Sequence, residues 1–393
     1  MDASGLRIAL FSGNYNYVRD GANQALNRLV DYLQRQGAAV RIYSPTVADP
    51  AFPANADIVH LPFVSIPRRT EYKMPIGIPS AVRRDIQAFA PNIFHIASPD
   101  VSGHRAVTLA HRLDLPVVAS VHTRFETYPR YYGLAFMEPV ILAILRRFYR
   151  RCDAIFAPSD SMAQLLREQR MNYTVGIWSR GIDRTIFNPE ARDPAWRRSL
   201  GIEDDVPVIG FVGRLVMEKG LDVFSEVIDR LEARQVRHKV LIVGEGPARD
   251  WFERRLPQAV FAGFQRGPDL GRAVASMDML FNPSVTETFG NVTLEAMAAA
   301  LPVVAAIATG SLSLVKDGHN GRLIRAGACD DFADALAAYC QDEDARRKAG
   351  LAGSEISLRY GWDSVNQTLV DACLRLIRER AAGGRRPGPS PVP

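Results

Sequence analysis

Strand-length apolar runs alternate with helical patterns in two successive series, and this constrains the fold more than any other feature. The first series runs through Arg7 to Ser12, Val40 to Ser44, Ile58 to Leu61, Ile93 to Ile96, Val117 to Val121, Ala154 to Pro158 and Val175 to Ile177. A second restarts at Val208 to Val212 and continues with Val240 to Val243, Val260 to Ala262, Met279 to Asn282 and Val303 to Ala306. Short apolar runs bounded by turns suit strands buried on both faces, and parallel neighbours need a crossover, usually a helix. Two doubly wound α/β domains are expected, with ligands outside the carboxyl ends of the strands. The polar segment Asp183 to Asp205, with Pro189 and Pro194, reads as the linker. We place the domains at 1–187 and 188–360, followed by a helix at 361–380. A Gly-, Pro- and Arg-rich tail at 381–393 is expected to be disordered. At 393 residues and 47% hydrophobic content, the chain can bury two such cores.

Chemistry concentrates between Asn282 and Gly310. A helix is expected from near Gly290 to Ala300, with Glu295 in its second turn and Glu287 in the loop before it. Phe289, Gly290 and Asn291 would present backbone N–H groups at a helix N-terminus, where the dipole adds partial positive charge. That terminus suits a phosphate. The two carboxylates would accept hydrogen bonds from hydroxyls on either side, and a phosphate flanked by sugars describes a nucleotide sugar. Taken by themselves, the two glutamates are equally ordinary surface residues favoured by the dipole.

Three further segments decide between those readings. Gly213-Arg214-Leu215 with Glu218-Lys219-Gly220 follows one strand, Gly244-Glu245-Gly246-Pro247 follows the next, and Val303 to Gly310 forms a strand and glycine turn. With Glu287-Thr288-Phe289-Gly290 and Glu295, they resemble the signatures of retaining glycosyltransferases of family 4. The resemblance spans roughly Arg7 to Arg380. It implies the GT-B fold, two Rossmann-like domains facing across a cleft, with the last helix crossing back to the first domain. It also implies roles. Glu295 would hold the ribose hydroxyls and Glu287 would contact the donor sugar. Arg214 and Lys219 would stabilise the diphosphate leaving group, whose charge grows in the transition state. Gly213, Gly244 and Glu245 would line the nucleotide side, joined by Phe289, Gly290 and Asn291, while the loop Gly263 to Leu270 would lie near the base.

In the first half, Ser12-Gly13-Asn14 ends the first strand and Gly21 opens the first helix. The family pattern has two adjacent glycines here, whereas this chain has Asp20-Gly21. His122 ends the strand Val117 to Val121, where the family places a histidine near the donor sugar. A lone histidine at a strand end is otherwise more often structural. His60, His95, His104 and His111 are not spaced as metal ligands, and the Asp342-Glu343-Asp344 run reads as a solvated face. No aspartate pair stands at a strand end, so no metal cofactor is expected. Arg214, Lys219 and the helix N-terminus would supply the charge instead. Cys152, Cys329, Cys340 and Cys373 lack metal-type spacing and read as core residues in a reducing compartment.

The segment Thr123 to Arg151 interleaves Phe125, Tyr128, Tyr131, Tyr132 and Phe136 with Arg124 and Arg130, then ends in Arg146, Arg147, Arg150 and Arg151. Such a mixture suits anionic lipid headgroups; it equally suits a crossover helix with a basic end. His122-Thr123, Ala97-Ser98-Pro99 and Trp178 to Asp183 resemble the subgroup containing lipid-glycan mannosyltransferases and sulfoquinovosyldiacylglycerol synthases. That resemblance implies a nucleotide-sugar donor, GDP-mannose first and a UDP-sugar second, and a lipid or glycolipid acceptor. A net charge of +5 is compatible with an anionic membrane surface. No nucleic-acid motif is present, no apolar stretch with a basic flank opens the chain, and no apolar run reaches the roughly 20 residues of a spanning helix. A cytoplasmic enzyme peripheral to the inner face of the cytoplasmic membrane is the expectation. A nucleotide-sugar epimerase and a non-catalytic membrane adaptor are the competing readings.

Overall fold

The computed structural model describes residues 3–17, 21–51, 55–66, 69–127 and 135–384. They form two compact units. One holds the chain through Arg180 together with the stretch from Trp362 onward, and the other is Gly181–Gly361.

The first unit is built on a seven-stranded parallel sheet in the order β3-β2-β1-β6-β7-β8-β9. Its strands are β1 (Arg7–Phe11), β2 (Ala39–Ser44), β3 (Asp57–His60), β6 (Ile93–Ile96), β7 (Val117–Ser120), β8 (Ala154–Ala157) and β9 (Val175–Ile177). Alternation along β1 sends Ile8 and Leu10 into one hydrophobic layer and Ala9 and Phe11 into the other. Helix α1 (Gly21–Arg35) covers the first layer with Leu26, Leu29, Val30 and Leu33. The C-terminal helix (Trp362–Ala381) packs beside it through Val365, Leu369, Val370, Cys373 and Leu376. Each such aliphatic side chain contributes about 1.5–3 kcal/mol when fully buried. Polar clamps fix the helix: Arg35 pairs with Asp363 at 2.8 Å, and Arg380 reaches the buried Asp153 at 2.6 Å. The Asp153 carboxylate also accepts the Val117 N–H at 2.7 Å, so this buried charge is compensated on two sides.

A hairpin of β4 (Phe63–Ile66) and β5 (Arg69–Pro75) is an addition to the expected strands. So is β15 (Gly321–Ile324) in the second unit, whose parallel sheet has the order β12-β11-β10-β13-β14-β15. Its other strands are β10 (Val208–Val212), β11 (Lys239–Val243), β12 (Val260–Gly263), β13 (Met279–Asn282) and β14 (Val303–Ala306). In each sheet the strand order reverses once, between β1 and β6 and between β10 and β13. Those reversals open the crevices in which such folds take ligands.

Two boundary expectations are corrected. The first unit ends at Arg180, seven residues before position 187, because Ile182 and Phe187 pack into the second unit's core. The segment Asp183 to Asp205 is folded rather than a linker. Asp193 caps the short helix Pro194–Ser199, and the fully buried Arg197 pairs with Asp278 at 2.9 Å while donating to the carbonyls of Ser276, Glu203 and Val206. The Asp342-Glu343-Asp344 run is exposed, as expected of a solvated face, and Asp342 stands at its start. It caps the helix Glu343–Ser357, accepting the Ala345 N–H. The tail expected at 381–393 lies from position 385 onward outside the described residues, while Ala381 ends the last helix.

Candidate active site

The second unit's crevice is assembled from the turns after β10 and β13. After β10 the chain passes Gly213 and makes a short turn, Met217–Lys219, closed by Gly220 in the left-handed region at φ +75°. A Cβ on Gly220 would stand 3.1 Å from the Pro283 carbonyl, so only glycine lets this turn press against the loop after β13. That contact brings Lys219 to Glu287, with Nζ 2.5 Å from Oε1. Both side chains are largely buried, at 29% and 16% exposure, so the pair is held in place rather than freely solvated. The ammonium is therefore aimed at the crevice before any ligand arrives.

Glu287 is pinned by its backbone as well. Its carbonyl accepts the Gly310 N–H at 2.8 Å and the Thr309 hydroxyl at 2.7 Å. A Cβ at Gly310 would sit 2.7 Å from the Phe289 carbonyl and 2.9 Å from the Glu287 Cβ. The glycine turn after β14 thus exists to let the glutamate loop approach. The helix Asn291–Ala298 begins after Gly290 at φ +94°. Its N-terminal N–H groups have no carbonyl within their own helix. Phe289 gives only backbone here, since its ring is buried against Tyr360 in the core. Glu295 lies on the same helix with part of its surface open. Burial of its carboxyl, then the charge of Glu287, pushes its pKa up to about 7.

Gly213 and Gly244 serve each other. A Cβ on Gly244 would strike the Gly213 carbonyl at 1.9 Å, so the strand ends of β10 and β11 touch backbone to backbone. Glu245 is half-exposed and bonded to Arg249. Arg214 is exposed, and among the described residues it makes no ion pair or side-chain hydrogen bond. Lys219 and Glu287 are brought together; Arg214 is not drawn into their pair.

The first unit has its own crevice between β1 and β6. There the Gly13 N–H donates to Ser98 Oγ at 2.8 Å, and Ser98 donates to Asp100 at 2.7 Å. A Cβ on Gly13 would meet Asp100 Oδ2 at 2.9 Å, so this turn closes tightly on Asp100. Gly21 is the first residue of α1, and Asp20 lies outside the described residues. His122 follows β7 and its Nδ1 lies 2.9 Å from Arg180 Nη2. Burial, then Arg180, then His95 hold the ring's pKa well below the ordinary histidine value.

In the basic segment the arginines are largely bonded within the fold. Arg124 pairs with the buried Glu126, Arg146 donates to the Gln169 carbonyl, Arg150 to the Arg170 carbonyl, and Arg151 to Thr108 Oγ1. Most of the arginines therefore also tie down the fold. What the helix Glu138–Tyr149 and the turn before it expose is an apolar stripe, Phe136 at 75%, Val140 at 55% and Ile144 at 53%. Tyr128, Arg130, Tyr131 and Tyr132 lie outside the described residues. Among the described residues no helix is long and apolar enough to cross a membrane, and no cluster of three potential metal ligands occurs.

Comparison with known proteins agrees with this geometry. Glycosyltransferase Family 4 matches residues 19–185, and Glycosyl transferases group 1 matches residues 206–342. A GDP-mannose-dependent alpha-mannosyltransferase of Mycolicibacterium smegmatis is 32% identical over 374 residues, 93% of this chain and 96% of its own. A sulfoquinovosyl transferase of Arabidopsis thaliana is 30% identical over 367 residues, 91% of this chain and 71% of its own. Sucrose-phosphate synthase from Thermosynechococcus elongatus shares the fold with a TM-score of 0.79 at 18% identity, over 95% of this chain and 99% of its own. With two crevices at the strand-order reversals, a glutamate pair bracketing a helix N-terminus and relatives aligned along nearly its whole length, this chain belongs to glycosyltransferase family 4.

Proposed function

We propose that this glycosyltransferase moves a mannosyl group from GDP-mannose to a lipid or glycolipid hydroxyl, with retention at the anomeric carbon and without a metal. The observation that carries the reading is the Lys219–Glu287 pair beside the N-terminus of the Glu295 helix. The helix N–H groups and Lys219 would hold the diphosphate, Glu295 the ribose and Glu287 the sugar. As the glycosidic bond breaks, charge accumulates on the leaving diphosphate, and Lys219 and Arg214 meet it there. The leaving phosphate takes the proton of the attacking hydroxyl on the same face, so the new bond replaces the old one with the same configuration. Fixed cations at this point do the work a divalent ion would otherwise do.

Likeness to the mycolicibacterial mannosyltransferase favours the guanine donor. Likeness to the Arabidopsis sulfoquinovosyl transferase favours a second reading, a glycolipid synthase using a UDP-sugar of glucose, glucuronate or sulfoquinovose. The exposed stripe of Phe136, Val140 and Ile144, with Arg147 exposed one turn on, supports docking on an anionic membrane at the cytoplasmic face. A screen of GDP- and UDP-sugars in EDTA with total lipid extract, read as nucleotide release, tests the reading. Release from GDP-mannose is expected. Release from UDP-sugars would favour the second reading, and activity restored only by magnesium or manganese would overturn metal independence.

A further inference from the structure

We propose that Arg180 is a positioning residue that locks His122 as a neutral ring carrying its proton on Nε2, so that the ring meets a substrate oxygen as a hydrogen-bond donor. The proposal rests on the reading that His122 contacts substrate, and goes beyond it by fixing what the ring can offer.

The argument begins with inventory. A guanidinium has five N–H donors, no acceptor, and stays protonated in proteins. Arg180 Nη2 lies 2.9 Å from His122 Nδ1, so Nδ1 must accept. A neutral imidazole has one N–H, which is then on Nε2. A protonated ring would lose this bond and set two cations in contact. Arg180 cannot easily turn away. It is 4% exposed, and its Nη1 donates to the carbonyls of Trp178 at 3.3 Å and Ser179 at 3.2 Å. Its guanidinium stands 5.4 Å over the Trp178 ring.

Trp178 completes the mount. It meets His122 edge-on at 5.6 Å and His95 at 5.9 Å. Its indole N–H donates to Asn366 Oδ1 at 3.1 Å, on the C-terminal helix, where Asn366 is fully buried. His95 is bonded to Ser120 Oγ and fully buried, and burial brings its pKa down to about 4. Among the described residues, Arg180 and His95 act on His122, and both oppose its protonation. With Nδ1 occupied, His122 is not placed to accept a proton there. It presents one N–H to an oxygen lone pair, on a sugar hydroxyl or a phosphate.

Nitrogen NMR of the full chain labelled at histidine tests this in the ligand-free protein, with the His122 signals assigned by their loss in His122→Gln. The expected spectrum is the neutral Nε2–H form, constant from about pH 5.5 to 8. A protonated ring in that range, or an Nδ1–H form, overturns the proposal. In Arg180→Met burial and His95 still disfavour protonation, so the ring should stay neutral but populate both tautomers. Arg180→Lys, which can still donate to Nδ1, should restore the wild-type form in the spectrum. A tautomer unchanged in Arg180→Met refutes the proposal, and should that variant fail to fold, the wild-type spectrum decides by itself. The spectrum needs no substrate, so its failure is distinct from a failure of the donor screen.

Discussion

Glu295→Gln is the substitution from which the structure extracts most. The wild-type carboxyl has its pKa pushed up to about 7 by burial and then by the charge of Glu287. Below that pH the side chain carries a proton, and glutamine copies its shape and hydrogen-bonding capacity closely. Above it, an ionised carboxylate accepts from the ribose hydroxyls, which an amide does less well. Hydrogen bonds to charged groups are worth about 1.5–3 kcal/mol, or about 10- to 160-fold in affinity. We therefore expect Glu295→Gln to bind GDP-mannose nearly as tightly as wild type at about pH 5.5 and about 10- to 160-fold more weakly at about pH 8.5. Stability should move the other way. The folded pKa exceeds the ordinary 4.5, so the folded state binds more protons across that window. Its contribution is full below 4.5 and is lost as pH rises through about 7. A shift of this size has a ceiling of about 3 kcal/mol. The variant should thus gain relative stability in urea at pH 8 and none at pH 4.5. Calorimetric titration across pH reads the first effect. An affinity loss that is the same at every pH, or no loss at all, would show that Glu295 does not hold the ribose as an ionised group.

Lys219→Ala removes the cation held 2.5 Å from Glu287 and should lower kcat by about 10²–10³-fold, far more than it raises the donor KM. A change confined to KM in steady-state kinetics would mean that Lys219 binds ground and transition states alike. Gly310→Ala places a methyl 2.7 Å from the Phe289 carbonyl, so the glutamate loop must shift. We expect a loss of about 1–3 kcal/mol in urea unfolding together with weaker donor binding, and unchanged donor affinity would show that the loop position does not matter. Replacing Phe136, Val140 and Ile144 by serine should release the protein from anionic vesicles at both low and high salt, whereas Arg147→Gln should weaken only the low-salt binding. Equal sedimentation of the serine variant and wild type would reduce the stripe to a surface without a lipid role.

The two series of buried strands were legible because parallel strands covered on both faces read as continuous apolar runs. The β4–β5 hairpin was not, since Phe63–Ile66 and Arg69–Pro75 lie in a stretch dense in proline and charge, with no clean alternation. β15 was missed because its four residues include Gly321 and Arg322. Within the site, Glu287 and Glu295 share one local segment, and Lys219 stands after a neighbouring strand, so motif spacing found all three. Arg180 lies 58 positions from His122, and no local pattern joins them; only the fold does. The arginines of the basic segment show the same limit. Charge is visible in sequence, but the carbonyls of Gln169 and Arg170 that receive Arg146 and Arg150 belong to a different turn. Gly310 was seen as a turn, while its purpose, admitting the Glu287 loop, follows from a contact across 23 positions.

The central claim is retaining mannosyl transfer to a lipid hydroxyl, and it meets its most direct test in the product. Purified protein is given GDP-mannose labelled in the sugar together with total lipid extract in EDTA. The labelled lipid is then isolated and its anomeric configuration read by NMR. The account predicts labelled glycolipid with the mannose α-linked, as it is in the donor, formed by wild type and scarcely at all by Lys219→Ala. A β-linked product, or label released only as free mannose while a UDP-sugar labels the lipid, would contradict it.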